Sequence, residues 1–130
     1  MIAVDTSALM AIILNEPQAE ACVAAIESEE ELLISAATIA ESLIVAARRG
    51  LGEEMERLID GLNFNIVSVT AASAGRTARA YRRWGKGVHA AGLNVGDCFA
   101  YEVAMDHRCR LLFVGDDFAR TDVENAIEGR

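Results

Sequence analysis

Four carboxylates, Asp5, Glu41, Asp97 and Asp116, stand at comparable places along a chain of 130 residues. Asp5 follows the short apolar run Ile2-Ala3-Val4, and Glu41 comes soon after Leu32-Leu33-Ile34. Asp97 lies three residues after Asn94, and Asp116 comes just after Leu111-Leu112-Phe113-Val114. If the apolar runs are strands of one parallel sheet, the four acids converge near its carboxyl-terminal edge, where open α/β sheets bind ligands. Two carboxylates about 4 Å apart repel by roughly 4 kcal/mol at an effective dielectric near 20. Four together must protonate, spread apart or hold a cation. An all-oxygen donor set suits Mg²⁺ or Mn²⁺ rather than zinc. One or two such ions at a sheet edge fit the hydrolysis of a phosphodiester, and two would stand roughly 3.5–4 Å apart. Cys98 adjoins Asp97 but points about 100° away around a helix, toward the core.

Plainer roles compete for the same residues. Thr38-x-x-Glu41 and Asn94-x-x-Asp97 have the spacing of capping boxes. Acids in a first helical turn also favour the helix dipole. Asp116 beside Asp117 suits a solvated turn, whereas Asp5 at a strand end has no capping role as clear. No serine–histidine–acid set competes with the carboxylates. His89 falls in a glycine-containing loop, and His107 ends a helix beside Arg108.

The elements that would position these acids follow from the apolar pattern. Ile2–Val4 reads as a first strand, and Ser7 as the cap of a helix over Ala8–Leu14. Pro17 suits the first turn of a helix running to about Ser28. Glu29–Glu31 form a solvated turn before the strand Leu32–Ile34. Ala36–Arg49 reads as a helix with Ile39, Leu43 and Ala47 on one stripe and Gly50 closing it. Glu53–Gly61 is a short amphipathic helix, and Phe64–Val67 is the third strand. Thr70 caps the helix Ala71–Trp84; the loop Gly85–Gly92 follows. Asn94 opens a helix to about His107, and Leu111–Val114 is the fourth strand. Gly115–Arg120 turns away, and Asp122 starts a short helix or tail. Strand–helix repeats with uniformly apolar strands predict an α/β fold whose parallel sheet is covered on both faces.

Length and composition fit one domain with one core: 52% of residues are hydrophobic and 25% charged. No apolar run approaches a membrane span, and an acid at position 5 without a basic leader is not a secretory signal. Cys22, Cys98 and Cys109 lack metal-ligand spacing and read as reduced packing residues, so a cytoplasmic location is expected. The net charge of −8 opposes non-specific attraction to nucleic acid. A polyanionic substrate then needs a bound cation or a local basic patch, whereas a basic protein partner is favoured outright.

Four segments carry a resemblance. Val4-Asp5-Thr6-Ser7-Ala8-Leu9, Glu41 within ATIAESLIVAARRG, Asn94-Val95-Gly96-Asp97-Cys98-Phe99-Ala100-Tyr101 and Gly115-Asp116-Asp117-Phe118-Ala119-Arg120-Thr121-Asp122 resemble the PIN-domain ribonucleases. More narrowly they resemble the VapC toxins of VapBC type II toxin–antitoxin systems. The likeness covers essentially the whole chain. It implies a single PIN domain over residues 1–130, a three-layer α/β sandwich around a mostly parallel sheet of four or five strands. It implies a Mg²⁺-dependent endoribonuclease, with Mn²⁺ able to substitute, that cuts tRNA or rRNA and stops translation. It also implies a homodimer, inhibited by a cognate VapB-type antitoxin whose C-terminal segment fills the acidic cleft. Residue by residue, Asp5 and Asp97 resemble the core metal ligands, Glu41 the third acid and Asp116 the fourth. Ser7 resembles the hydroxyl residue that supports the site through Asp5 or a water. Asp117 adjoins Asp116, and either can face the metal; Asp122 is an outer candidate.

Two further surfaces bear on substrate and partner. Arg76, Arg79 and Arg83 share a helical face, and with Lys86, Tyr81 and Trp84 they could grip phosphates and stack on bases. A solvated outer helix explains the same pattern. Ala19, Cys22, Val23 and Ile26, and separately Ile44 with Ala47, form apolar stripes that fit either the core or an interface. The alternative function is a non-cleaving PIN-fold module that binds RNA or protein. A phosphatase with Asp5 as nucleophile would want a second acid two residues on, where Ser7 stands.

Overall fold

The four apolar runs form one parallel sheet in a computed structural model that describes residues 1–127. The strands are β1 (Ile2–Val4), β2 (Leu32–Ser35), β3 (Asn65–Val67) and β4 (Arg110–Leu112), in the order β3-β2-β1-β4. Register pairs Ala3 with Leu33 on one side and with Leu111 on the other. Ile34 pairs with Ile66 at the β3 edge. A fifth strand is reduced to one parallel bridge, Leu111 to Asn125, with Leu111 N donating to Glu124 O (2.9 Å) and Ala126 N to Leu111 O (2.9 Å).

Side chains alternate across a strand, so each strand feeds both faces of the sheet. Ala3, Leu33 and Leu111 join Trp84, Leu93, Tyr101 and Val103 in one core. Ile2, Val4, Ile34 and Leu112 join Leu9, Cys22 and Met55 in the other. The helices divide accordingly. One layer holds α1 (Thr6–Ile13), α2 (Ala19–Glu27), α3 (Ala36–Arg48) and α4 (Gly52–Leu62). The opposite layer holds α5 (Ala71–Trp84) and α6 (Val95–Asp106). This is the three-layer sandwich expected, with four strands. Among the described residues no helix is long and apolar enough to cross a membrane.

Several boundaries differ from expectation, each for a local reason. Helix α1 begins at Thr6, because Asp5 rather than Ser7 caps it: the Asp5 carboxylate accepts from Ser7 N. Helix α3 is capped by Ser35, whose hydroxyl accepts from Ala37 N, so Thr38 and Glu41 form no capping box. Its buried stripe is Thr38, Ser42 and Ala46; Ile39 and Leu43 are half-buried and Ala47 is exposed. Pro17 lies in the turn before α2 rather than in its first turn. Strand β4 ends at Leu112, and no helix follows Asp122 within the described residues. Thr70 and Asn94 do open α5 and α6, each with a reciprocal capping box.

Gly85 closes α5 and pairs with Leu93 across the following loop. A Cβ there would overlap the Tyr81 carbonyl oxygen and approach the Tyr81 ring atoms to 2.9 Å. Backbone cannot yield as a side chain does, so Gly85→Ala is expected to destabilise the fold by about 1–3 kcal/mol, the usual range for overpacking. Urea unfolding measures this, and an unchanged midpoint would show that the loop accommodates the methyl group.

Candidate functional site

The carboxyl-terminal ends of β1 and β4 open into a cleft of about 350 Å³ lined by Asp5, Ser7, Asp97, Val114, Gly115, Asp116, Asp117, Phe118 and Arg120. Asp5 lies at its floor, only 3% exposed. Its backbone N–H donates to Leu112 O at 3.0 Å, which ties the end of β1 to β4. Its Oδ2 accepts from Ser7 N at 3.0 Å and from Ser7 Oγ at 2.7 Å. Ser7 Oγ in turn accepts from Val114 N at 3.0 Å, so one hydroxyl ties α1 to the segment beyond β4. Asp5 Oδ1 is buried with no hydrogen-bond partner. Buried carboxylate oxygens are rarely left in this way, and such an oxygen points to a missing ligand. Burial pushes the Asp5 carboxyl up to about 7, against the lowering effect of Ser7 and with smaller contributions from Asp97 and Glu41.

Asp97 reaches the same cleft from the first turn of α6. It accepts from Asn94 N at 3.0 Å, while Asn94 Oδ1 accepts from Asp97 N at 2.7 Å. Capping and site roles therefore coincide in one residue. Burial, with the charges of Glu41 and Asp117, raises the Asp97 carboxyl to about 6, although the Asn94 N–H opposes this. Asp116 and Asp117 both line the cleft, and Asp117 is the one whose charge bears on Asp97. Glu41 stands to one side, in the second turn of α3, with Oε1 accepting from Thr6 Oγ1 at 2.7 Å. Its charge reaches both Asp5 and Asp97.

The donors fit a hard divalent cation: they are carboxylate oxygens, and one is buried and unpartnered. Among the described residues no three His, Cys, Asp or Glu side chains are already gathered tightly enough to hold an ion.

Other expected contacts divide. Arg76 is turned to α6, with Nε 2.8 Å from Glu102 and Nη2 3.6 Å from Asp106. Arg83 pairs with Asp122 at 3.6 Å and stacks its guanidinium 4.5 Å from the centre of the Trp84 ring. Arg79 and Lys86 are exposed. Trp84 is buried and donates to Tyr101 Oη at 3.0 Å, so its ring is core rather than a platform for bases. Asp122 accepts from Tyr101 Oη at 2.6 Å and does not line the cleft. His89 packs edge-on against Trp84, and His107 Nδ1 lies 2.9 Å from Val103 O; neither lines the cleft. Cys22 and Cys98 are buried free thiols, and Cys109 is half-buried and free. Arg120, not singled out from the sequence, is the basic side chain of the cleft lining, with Nη1 3.4 Å from Ala90 O. Its place within Gly115–Asp122 was the available signal.

An α/β sandwich with acids gathered at the carboxyl end of its parallel sheet defines a class of nuclease domain, and the comparisons agree. The sequence matches the PIN domain family over residues 2–124. It is 42% identical over 123 residues to ribonuclease VapC30 of Mycobacterium tuberculosis, covering 92% of this chain and 94% of that one. By fold it is similar to M. tuberculosis VapC20, described as a sarcin–ricin loop cleaving toxin, with a TM-score of 0.76 and 15% identity over 95% and 96% of the two chains. A toxin–antitoxin complex from Klebsiella pneumoniae contains a similar chain, with a TM-score of 0.67 and 19% identity over 94% and 93% of the two chains. The chain belongs to the PIN-domain family and, within it, to the VapC ribonucleases.

Proposed function

We propose that the chain acts as the toxin of a type II toxin–antitoxin system, a single-domain endoribonuclease that uses Mg²⁺ or Mn²⁺ to cut tRNA or rRNA. The observation that carries this is the buried, unpartnered Asp5 Oδ1 at the floor of a cleft shared with Asp97, Asp116 and Asp117. A divalent ion bound there supplies Lewis acidity, making water a stronger nucleophile at neutral pH and offsetting charge on the scissile phosphate.

The chain's own residues do the rest. Asp5 and Asp97 are the core ligands, with Glu41 and either Asp116 or Asp117 completing the set. Ser7 keeps the Asp5 carboxylate in one rotamer and frees its second oxygen for the ion. Arg120 offers a cation at the rim, and exposed Arg79 and Lys86 add positive charge on a chain whose net charge is −8. Arg76 and Arg83 reach RNA only by exchanging their present carboxylate partners, which costs Arg83 little because its pair is exposed.

A VapB-type antitoxin as partner, a homodimeric assembly and a cytoplasmic setting belong to the same proposal. The toxin–antitoxin complex that holds a similar chain supports an antitoxin partner, and the net charge of −8 favours a basic segment as the part that enters the acidic cleft. Incubation with total tRNA tests the activity. Cleavage is expected with Mg²⁺ or Mn²⁺, lost in EDTA and regained when metal is restored. RNA that binds and stays intact under all three conditions would favour the non-cleaving module instead.

A further inference from the structure

We propose that Thr6 and Gly96 are positioning residues for Glu41, fixing where its carboxylate stands beside the acidic cleft; this rests on the metal-nuclease function proposed above. Thr6 Oγ1 is 2.7 Å from Glu41 Oε1 and 2.9 Å from Ser42 Oγ, and Ser42 Oγ is 2.8 Å from Thr38 O. Two hydroxyl protons serve these three contacts. A carboxylate so close to a hydroxyl oxygen needs the proton between them, so Thr6 donates to Glu41. Ser42 then donates either to Thr6, as a relay, or to Thr38 O. Both hydroxyl residues are buried and Glu41 is half-buried, so water reaches the bond only from the carboxylate side.

Gly96 holds the other side. It lies in the first turn of α6, and it is not among the glycines with positive φ. Glycine is a poor helix residue where no special backbone is required. Its value here is the missing side chain. A Cβ on Gly96 would overlap Glu41 Oε2 and lie 2.6 Å from Glu41 Cδ and 3.0 Å from Oε1. Glu41 comes from one helical layer and Asp97 from the other, so the gap at Gly96 is what lets the two carboxylates approach. An added methyl group displaces the Glu41 carboxylate, whereas the α6 backbone stays where it is.

The test is Mn²⁺ titration calorimetry on the full chain with Gly96→Ala, Thr6→Val and Thr6→Ser, each alone and combined with Glu41→Ala. Gly96→Ala and Thr6→Val are expected to weaken Mn²⁺ binding by about 10–100-fold, the range seen when the partner behind a metal ligand is lost. Thr6→Ser keeps the hydroxyl and the affinity. In the Glu41→Ala background neither Gly96→Ala nor Thr6→Val has a further effect, because both act through the same side chain. Metal-free melting of Gly96→Ala stays at or above that of the parent. Unchanged affinity in either Gly96→Ala or Thr6→Val overturns the inference, as does a loss that persists undiminished without Glu41. A parent chain that takes up no Mn²⁺ removes the metal-nuclease function itself, and the inference with it.

Discussion

Asp97→Asn is expected to abolish RNA cleavage while leaving the fold intact. The asparagine side-chain oxygen can still accept from Asn94 N, so the cap that opens α6 survives. What disappears is the negative charge that faces Asp5, Glu41 and Asp117 across the cleft. Charge stabilisation by a bound metal contributes several kcal/mol to such a reaction, and each 1.4 kcal/mol is tenfold. A cleavage rate at least about 100-fold below that of the parent is therefore expected. Initial rates on total tRNA at saturating Mn²⁺, paired with a circular dichroism melt, separate loss of chemistry from loss of structure. A variant that melts like the parent and cuts at the parental rate would remove Asp97 from the catalytic set.

The second large effect is on stability rather than turnover. The Asp5 carboxyl is raised from 3.8 to about 7 and that of Asp97 from 3.8 to about 6, in both cases chiefly by burial. Between pH 4 and 7 the native state therefore holds more protons than the unfolded chain, and metal-free stability falls as pH rises. Below about pH 4 both carboxyls are protonated in both states and the penalty is absent. Above pH 7 it is fully present, on the order of 4 kcal/mol for Asp5 alone. Calorimetric melts in EDTA at pH 5 and pH 8 should show the drop. Asp5→Asn, which retains a good capping residue, should drop less, and Mn²⁺ should restore the parent but not this variant at pH 8. Equal pH profiles for parent and Asp5→Asn would contradict the burial argument.

The sequence displayed the sheet and its covering helices because the strands are uniformly apolar and because Thr70 and Asn94 are strong start signals. The same rules failed where one residue type can do two jobs. Asp5-Thr6-Ser7 offers three capping residues in a row, and tertiary contact with the β4 end decides that Asp5 is the cap. The stripe expected on α3 from Ile39, Leu43 and Ala47 gives way to Thr38, Ser42 and Ala46, because Ser42 finds Thr6 Oγ1 and the Thr38 carbonyl as partners, while the Thr38 hydroxyl is buried without one. Helical spacing placed Arg76, Arg79 and Arg83 on one face correctly. It could not reveal that Glu102 and Asp122, distant in sequence, claim two of the three. Of the four acids expected to converge, Asp5, Asp97 and Asp116 do line one cleft, as a shared sheet edge requires, whereas Glu41 stands to one side of it, held by Thr6. The choice between Asp116 and Asp117 was not legible, because it depends on how a turn beyond β4 is directed.

Ser7 touches both the first strand's aspartate and the amide of Val114, across 107 positions of sequence. Strand β1 likewise lies between β2 and β4, so a segment made early waits for one made much later. During synthesis the chain emerges from its amino end, and β1 has no second neighbour until residues beyond 112 are free of the ribosome. The acidic cleft is thus assembled only once the chain through Val114 can fold back onto β1, so a shorter nascent piece holds its acids without joining them.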